Sequence, residues 1–262
     1  EIPVGPVHAG LIEPGHFRFS VVGETILRMK ARLWFVHRGI EKLLEGAGPA
    51  TAIQVAERIS GDTAVGHSLA LTLAIEEAAG VAVTDDDRAT RALLLELERV
   101  HNHVADIGAL ANDVGFGLVN AHALRLREEL LRINQATTGH RLLRGAIRVG
   151  GAHVIELPDP ERLRSIAASV AALSAITIGN ATVRDRFVGT SILAQDQARR
   201  LGVLGYVARA SGIDIDARRD HPIADLGEPF RVTLESGGDV MSRYAVRVRE
   251  VEVSTVLGKR EA

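Results

Sequence analysis

The chain of 262 residues contains no cysteine. That absence excludes disulfides, thiolate zinc sites, iron-sulfur ligation and a cysteine nucleophile from its own chemistry. Any iron-sulfur carrier working with it must sit in another polypeptide. An excess of either charge is also missing: 31 Lys and Arg against 33 Asp and Glu leave a formal net charge of -2. Such a balance gives no global attraction to nucleic acid or to anionic lipid. The opening Glu1-Ile2-Pro3-Val4-Gly5-Pro6 lacks the basic and apolar regions of a signal peptide. No run approaches the roughly 20 apolar residues that cross a bilayer. A soluble cytoplasmic protein, peripheral to a membrane at most, is therefore expected. There is no Gly-x-Gly-x-x-Gly fingerprint or phosphate loop, no His-Glu-x-x-His zinc motif and no serine in a nucleophile elbow. A nucleotide donor such as NADH would bind elsewhere.

What is present is a chain 46% hydrophobic and 24% charged, enough for one large domain or two small ones with a substantial core. Phe17, Phe19 and Val21 alternate with polar or small residues, Gly23-Glu24 can turn, and Ile26 to Phe35 resumes an extended pattern, so a hairpin is expected there and β structure nowhere else with equal force. Helical spacing follows. Arg38 to Glu45 fits a short helix closed by Gly46, and Ala64 to Ala79 one closed by Gly80. Thr84 followed by Asp85, Asp86 and Asp87 is a strong helix start, and that helix is expected to reach about Ala111. It carries an apolar stripe of Leu93, Leu97, Val100, Val104 and Ile107 beside a polar stripe of Glu96, Arg99, His103 and Asp106. Further helices are expected from about His122 to Thr138, from Pro160 to about Ile178 and from Asp239 to about Val256, with irregular loop holding short pieces of structure between Gly202 and Glu235. His101 and His103, two apart, fall on opposite helix faces and cannot chelate one metal.

Six short runs occur in one order: Gly5-Pro6-Val7-His8, Glu13-Pro14-Gly15-His16-Phe17, His37-Arg38-Gly39-Ile40-Glu41-Lys42, Ala56-Glu57-Arg58, Thr138-Gly139-His140-Arg141 and Arg148-Val149-Gly150-Gly151. Through them the chain resembles two related families. One is the large subunit of membrane-bound, energy-converting nickel-iron hydrogenases of the formate hydrogenlyase type. The other is the 49 kDa-type subunit of respiratory complex I, the NADH:quinone oxidoreductase. The resemblance implies a mostly α fold with a small N-terminal β element and a hydrogenase large-subunit-like helix-bundle core. Residues 1–36 would form the β hairpin region and 37–262 the helical core of the same domain, truncated at the C-terminus relative to those families.

Against the resemblance, the departures stand out. In Ser60-Gly61-Asp62-Thr63, Ser60 and Thr63 occupy the places of two metal-binding cysteines; their neutral hydroxyls are weak, hard donors where soft thiolates select nickel and iron. No nickel-iron centre is expected, and no cofactor bound by this chain alone. His16 matches the histidine at the quinone headgroup of the complex I subunit, and Asp113 the acid that partners it; a carboxylate beside an imidazole raises its pKa and fixes its tautomer for proton delivery. Read without the family, His16 is a loop or capping histidine and Asp113 an Asx-turn acid. Gly61 stands where complex I has a tyrosine. His8 has a weaker case than His16. Arg58 and His103 belong to the quinone-site neighbourhood and Glu57 to the hydrogenase proton route by the same resemblance. Glu57 and Arg58 are expected to point apart, and His67 to be a hydrogen-bonded core histidine. The resemblance implies a large core subunit of a complex I-like or hydrogenase-like electron-transfer complex. It would form a quinone-type acceptor site with a small iron-sulfur subunit, on the cytoplasmic side of the cell membrane. The alternative is a metal-free, inactive structural paralogue.

Overall fold

Period-two alternation between Phe17 and Val21 produces the expected hairpin in the computed structural model, which describes residues 1–6, 14–227 and 230–256. His8 and Glu13, quoted in the motifs above, lie outside the described residues. The chain falls into two compact units, Glu1–Ala47 and Gly48–Ala262. The first holds an antiparallel sheet of three strands, β1 (Ile2–Val4), β2 (His16–Val22) and β3 (Thr25–Arg32), followed by a short helix α1 (Ile40–Leu44). Strand β1 is absent from the sequence expectation, because three residues containing a proline carry almost no alternation signal. It pairs Ile2 with Phe19 and Val4 with Phe17 on the outer side of β2.

Among the described residues the second unit is helical apart from one small hairpin. Its elements are α2 (Pro49–Ala56), α3 (Ala64–Ala79), α4 (Asp85–Asp113), α5 (Gly117–Thr138), β4 (Ile147–Arg148), β5 (Gly151–Ala152), α6 (Pro160–Gly179), α7 (Ala181–Phe187), α8 (Gln195–Arg200), α9 (Gly205–Ala210), α10 (Ala217–Asp220) and α11 (Val240–Val256). Local chemistry sets the ends. Thr84 accepts the Asp87 N–H at 3.1 Å, Asp159 accepts that of Glu161, and Gly80 and Gly139 close α3 and α5 in the left-handed conformation. Helix α5 begins at Gly117, ahead of the expected His122, and Asp113 is the last residue of α4 rather than part of the following loop.

The long α4 packs on α5 and α11 and, with α6, builds the core. Its buried stripe runs Leu94, Leu97, Val100, Val104, Ile107 and Ala111, so Leu94 and not Leu93 is the inward residue at its first turns. At Gly108 the crossing with α5 is so close that an added Cβ would lie 2.6 Å from the Ala123 Cβ, and only glycine permits it. Buried Arg91 of α4 forms a two-pronged pair with Glu76 of α3, one arm at 2.9 Å. The same guanidinium donates to the carbonyls of Arg148 and Gly151, fastening the β4–β5 hairpin to both helices.

One sequence expectation is corrected here. Helix α6 is long and apolar enough, by length and composition, to cross a membrane; its Leu163, Ile166, Val170 and Leu173 are buried in the protein core.

Candidate functional site

Helix α2 ends at Ala56, and Glu57 to Thr63 link it to α3. Two hydroxyls of this loop turn toward one acid: Ser60 Oγ donates to Asp62 Oδ1 at 2.5 Å, and Thr63 Oγ1 lies 3.4 Å from the same oxygen. The Ser60 hydrogen bond leads the causes that hold the Asp62 carboxyl below its ordinary value, against partial burial. The Asp62 carbonyl accepts from Asn102 Nδ2 of α4 at 3.0 Å, anchoring the loop on the central helix. With both hydroxyls engaged, this loop does not fit a thiolate-type metal centre, and among the described residues no group of three or more His, Asp or Glu side chains is placed to hold an ion. Gly61 is exposed, with no atom within 4 Å of where a Cβ would stand.

Below the loop lies a residue that sequence reasoning missed. Glu98 of α4 is buried, and its two carboxylate oxygens accept the N–H groups of Val65 at 2.7 Å and Gly66 at 2.8 Å, at the start of α3. It does the work of an N-cap that Thr63 does not do. Burial pushes its carboxyl up to about 7, further than those hydrogen bonds bring it down, and the Asp62 charge adds to the rise. One turn on, fully buried His101 lies 3.1 Å from the Leu97 carbonyl and 3.2 Å from Asn134 Nδ2 of α5. Burial and the charge of Arg127 lower its imidazole to about 4.

The other expected residues are spread out. Glu57 is buried: Oε1 accepts the Gly145 N–H at 2.5 Å, beneath a largely apolar cavity of about 400 Å³ lined by Pro49, Ile53, Ile147 and Val149. Arg58 is half exposed and donates to the Gln54 carbonyl. Contrary to expectation its guanidinium remains 3.9 Å from Glu57 Oε2, a loose ion pair. His67 is only half-buried; among the described residues the histidines sealed in the core are His101 and His103. Asp113 is exposed at the end of α4, and His16 opens β2, half-buried, in the first unit.

The polar stripe of α4 is turned inward. Glu96 and His103 are buried, and their partners come from the far end of the chain. His103 Nε2 lies 2.7 Å from Glu250 Oε2 of α11. Arg209 of α9 grips Glu250 Oε1 at 2.6 and 2.7 Å, and Arg99 stands 3.7 Å away. Arg218 joins Glu96 at 3.1 Å to Asp216 at 2.7 Å, Ser254 also donates to Glu96, and Arg247 pairs with Asp106 at 2.9 Å while lying over the Tyr206 ring. Burial would raise the Glu250 carboxyl; the hydrogen bond from His103 and the charges of Arg209 and Arg99 hold it down to about 2. Burial lowers the His103 imidazole despite Glu250. Apart from His103, the four acids Glu96, Asp106, Asp216 and Glu250 face the four arginines Arg99, Arg209, Arg218 and Arg247, with Asp106 and Arg99 at the more exposed margin.

Comparisons with known proteins place the chain in a family. Residues 113–259 match the family model described as respiratory-chain NADH dehydrogenase, 49 Kd subunit, and residues 38–111 match that of nickel-dependent hydrogenase. The chain is similar to formate hydrogenlyase subunit 5 of Escherichia coli, 35% identical over 95% of this chain and 45% of that protein. It is similar also to an NADH-quinone oxidoreductase subunit of Koribacter versatilis, 30% identical over 96% and 64%. Membrane-bound hydrogenase subunit alpha of Pyrococcus furiosus is 28% identical over 97% and 62%. The chain spans about half the length of several curated relatives that it matches, formate hydrogenlyase subunit 5 among them. More than half of its residues fall within the first match, and the chain belongs to the family of the 49 kDa subunit of respiratory-chain NADH dehydrogenase.

Proposed function

We propose that this chain is part of the large core subunit of a complex I-like or related hydrogenase-like electron-transfer complex. In that complex it forms a quinone-type acceptor site with a small iron-sulfur subunit. The helices α4, α5, α6 and α11 are its hydrogenase-like bundle, residues 1–36 its β element, and the assembly sits on the cytoplasmic face of the cell membrane. Electrons reach the site from the partner's cluster. His16 and Asp113 supply protons to the reduced quinone, and Arg58 and His103 set the electrostatics around it.

The observation that carries this reading is the engagement of Ser60 and Thr63 by Asp62. A loop that in hydrogenases would present ligands to a metal here presents none, while the surrounding family sequence is retained. Chemistry at this place must then use an acceptor that needs no protein thiolates. Open space at Gly61 in place of a phenol predicts looser polar fixation of a headgroup than in standard complex I.

The test is made on the purified complete complex. His16→Ala and Asp113→Asn are expected to slow quinone consumption by about a hundredfold or more, the usual contribution of a positioned acid or base, while reduction of the iron-sulfur cluster keeps its rate. Cluster reduction without quinone consumption in the unmodified complex would identify a metal-free structural paralogue instead.

A further inference from the structure

Strand β3 is the outer strand of its sheet, and among the described residues none pairs with its free edge. All eight of its residues are exposed. The register sets Arg18 opposite Lys30, Ser20 opposite Arg28 and His16 opposite Arg32. Because side chains alternate along a strand, Arg18, Arg28, Lys30 and Arg32 share one face with His16. Like charges directly opposed destabilise a sheet. An acid reaches this face at Glu1, 4.0 Å from Arg18 and two strands away from the free edge. The reverse face is apolar: Phe17 faces Ala31, Phe19 faces Met29, and Met29 and Leu27 remain 55% and 66% exposed. The cations and the register shift between Ser20 and Val21 guard this edge against pairing with a neutral or basic strand and leave it open to one of opposite charge.

We propose that the free edge of β3 receives an extended segment of a partner polypeptide as a fourth strand, with Asp or Glu at alternate positions and apolar residues between them. The acids of such a strand fall beside Arg28, Lys30 and Arg32, its apolar residues extend the Met29 face, and its backbone pairs with the open edge. An anionic lipid surface answers the cations alone and leaves the backbone edge and the apolar face uncovered. The added strand answers all three. Its presence is independent of the quinone reading.

The experiment uses the full chain and fluorescent synthetic peptides. One alternates glutamate and valine, a second has the same composition with its glutamates in one block, and a third alternates lysine and valine. The alternating acidic peptide is expected to bind at least about tenfold tighter than the blocked one, with affinity falling as salt rises. In the variant Arg28→Glu with Lys30→Glu the preference is expected to invert, the lysine peptide now binding and the acidic one losing about tenfold or more. Inversion also shows that the variant is folded. Equal binding of alternating and blocked peptides, or no binding of either, overturns the proposal. Co-sedimentation with vesicles of phosphatidylglycerol and phosphatidylcholine that the acidic peptide does not compete away assigns the face to a membrane, and overturns it too.

Discussion

Replacing Glu98 by Gln should expose a pH dependence that the wild-type protein hides. The Glu98 carboxyl titrates near 7 in the folded chain against an ordinary 4.5. Ionising it is costly in the native state, so its contribution to stability is complete below 4.5 and is lost as pH rises toward 7. His101 runs the other way. Its imidazole titrates near 4 against 6.5, so its contribution is complete above 6.5 and is lost as pH falls toward 4. At about 1.36 kcal/mol per pH unit, each group moves stability by about 3 kcal/mol across nearly the same window, with opposite sign, and together they cancel. In Glu98→Gln only the histidine remains. The difference in unfolding free energy between wild type and variant, from urea transitions at pH 5, 6 and 7, should therefore change by about 2 kcal/mol in favour of the variant as pH rises. The lost N–H acceptor at Val65 or Gly66 shifts all three values equally and leaves the slope intact. A difference constant across those pH values would refute the assignment of a raised, buried carboxyl to Glu98.

Glu250→Gln, which keeps the shape but removes the nearer of the two carboxylates facing buried Arg209 and leaves it only Asp216 at 3.7 Å, should cost about 3 kcal/mol. Combined with Arg209→Met it should cost less than the sum of the two single changes by about 1 to 3 kcal/mol, as measured by a denaturation double-mutant cycle. Gly108→Ala should destabilise by about 1 to 3 kcal/mol through overpacking against Ala123, visible as a lowered urea midpoint. Gly61→Tyr, placed in open space, should change stability by less than about 0.5 kcal/mol, yet tighten quinone binding when the whole complex is titrated. Elemental analysis of the folded chain should find far less than one nickel per molecule, because Ser60 and Thr63 are poor ligands for it.

Features that depend on neighbours in sequence were legible, and those that depend on neighbours in space were not. The ends of α3, α4 and α6 follow from Gly80, Thr84 and Asp159, each acting within a turn of its own residue. The hairpin β2–β3 follows from alternation. By contrast, Arg91 on Glu76 and Glu98 beneath α3 are contacts between helices, and a charged residue in a helical pattern carries no mark of which helix will face it. Periodicity set the polar stripe of α4 beside the apolar one without naming what faces it; Glu250, Arg209 and Arg218, far away in sequence, bury Glu96 and His103. The engagement of Ser60 and Thr63 by Asp62 is a short-range pattern, visible in principle from their spacing, but their significance required the family. His16 and Asp113 were named from resemblance alone, and no local pattern singles them out.

The pairing of α4 with α11 bears on how the chain reaches its native state. His103 meets Glu250 across 147 positions and Glu96 meets Ser254 across 158. During synthesis, α4 and α5 can close on each other early, since they are adjacent and share the Gly108 crossing. The charges along α4 must nevertheless wait in water until α11 emerges. Closing so long a loop adds an entropic barrier. The final collapse onto α11 is therefore expected to be the slow event, with an intermediate in which the apolar seam is formed and the ionic one still hydrated. Refolding of a chain interrupted before α11 should yield that intermediate as its end state.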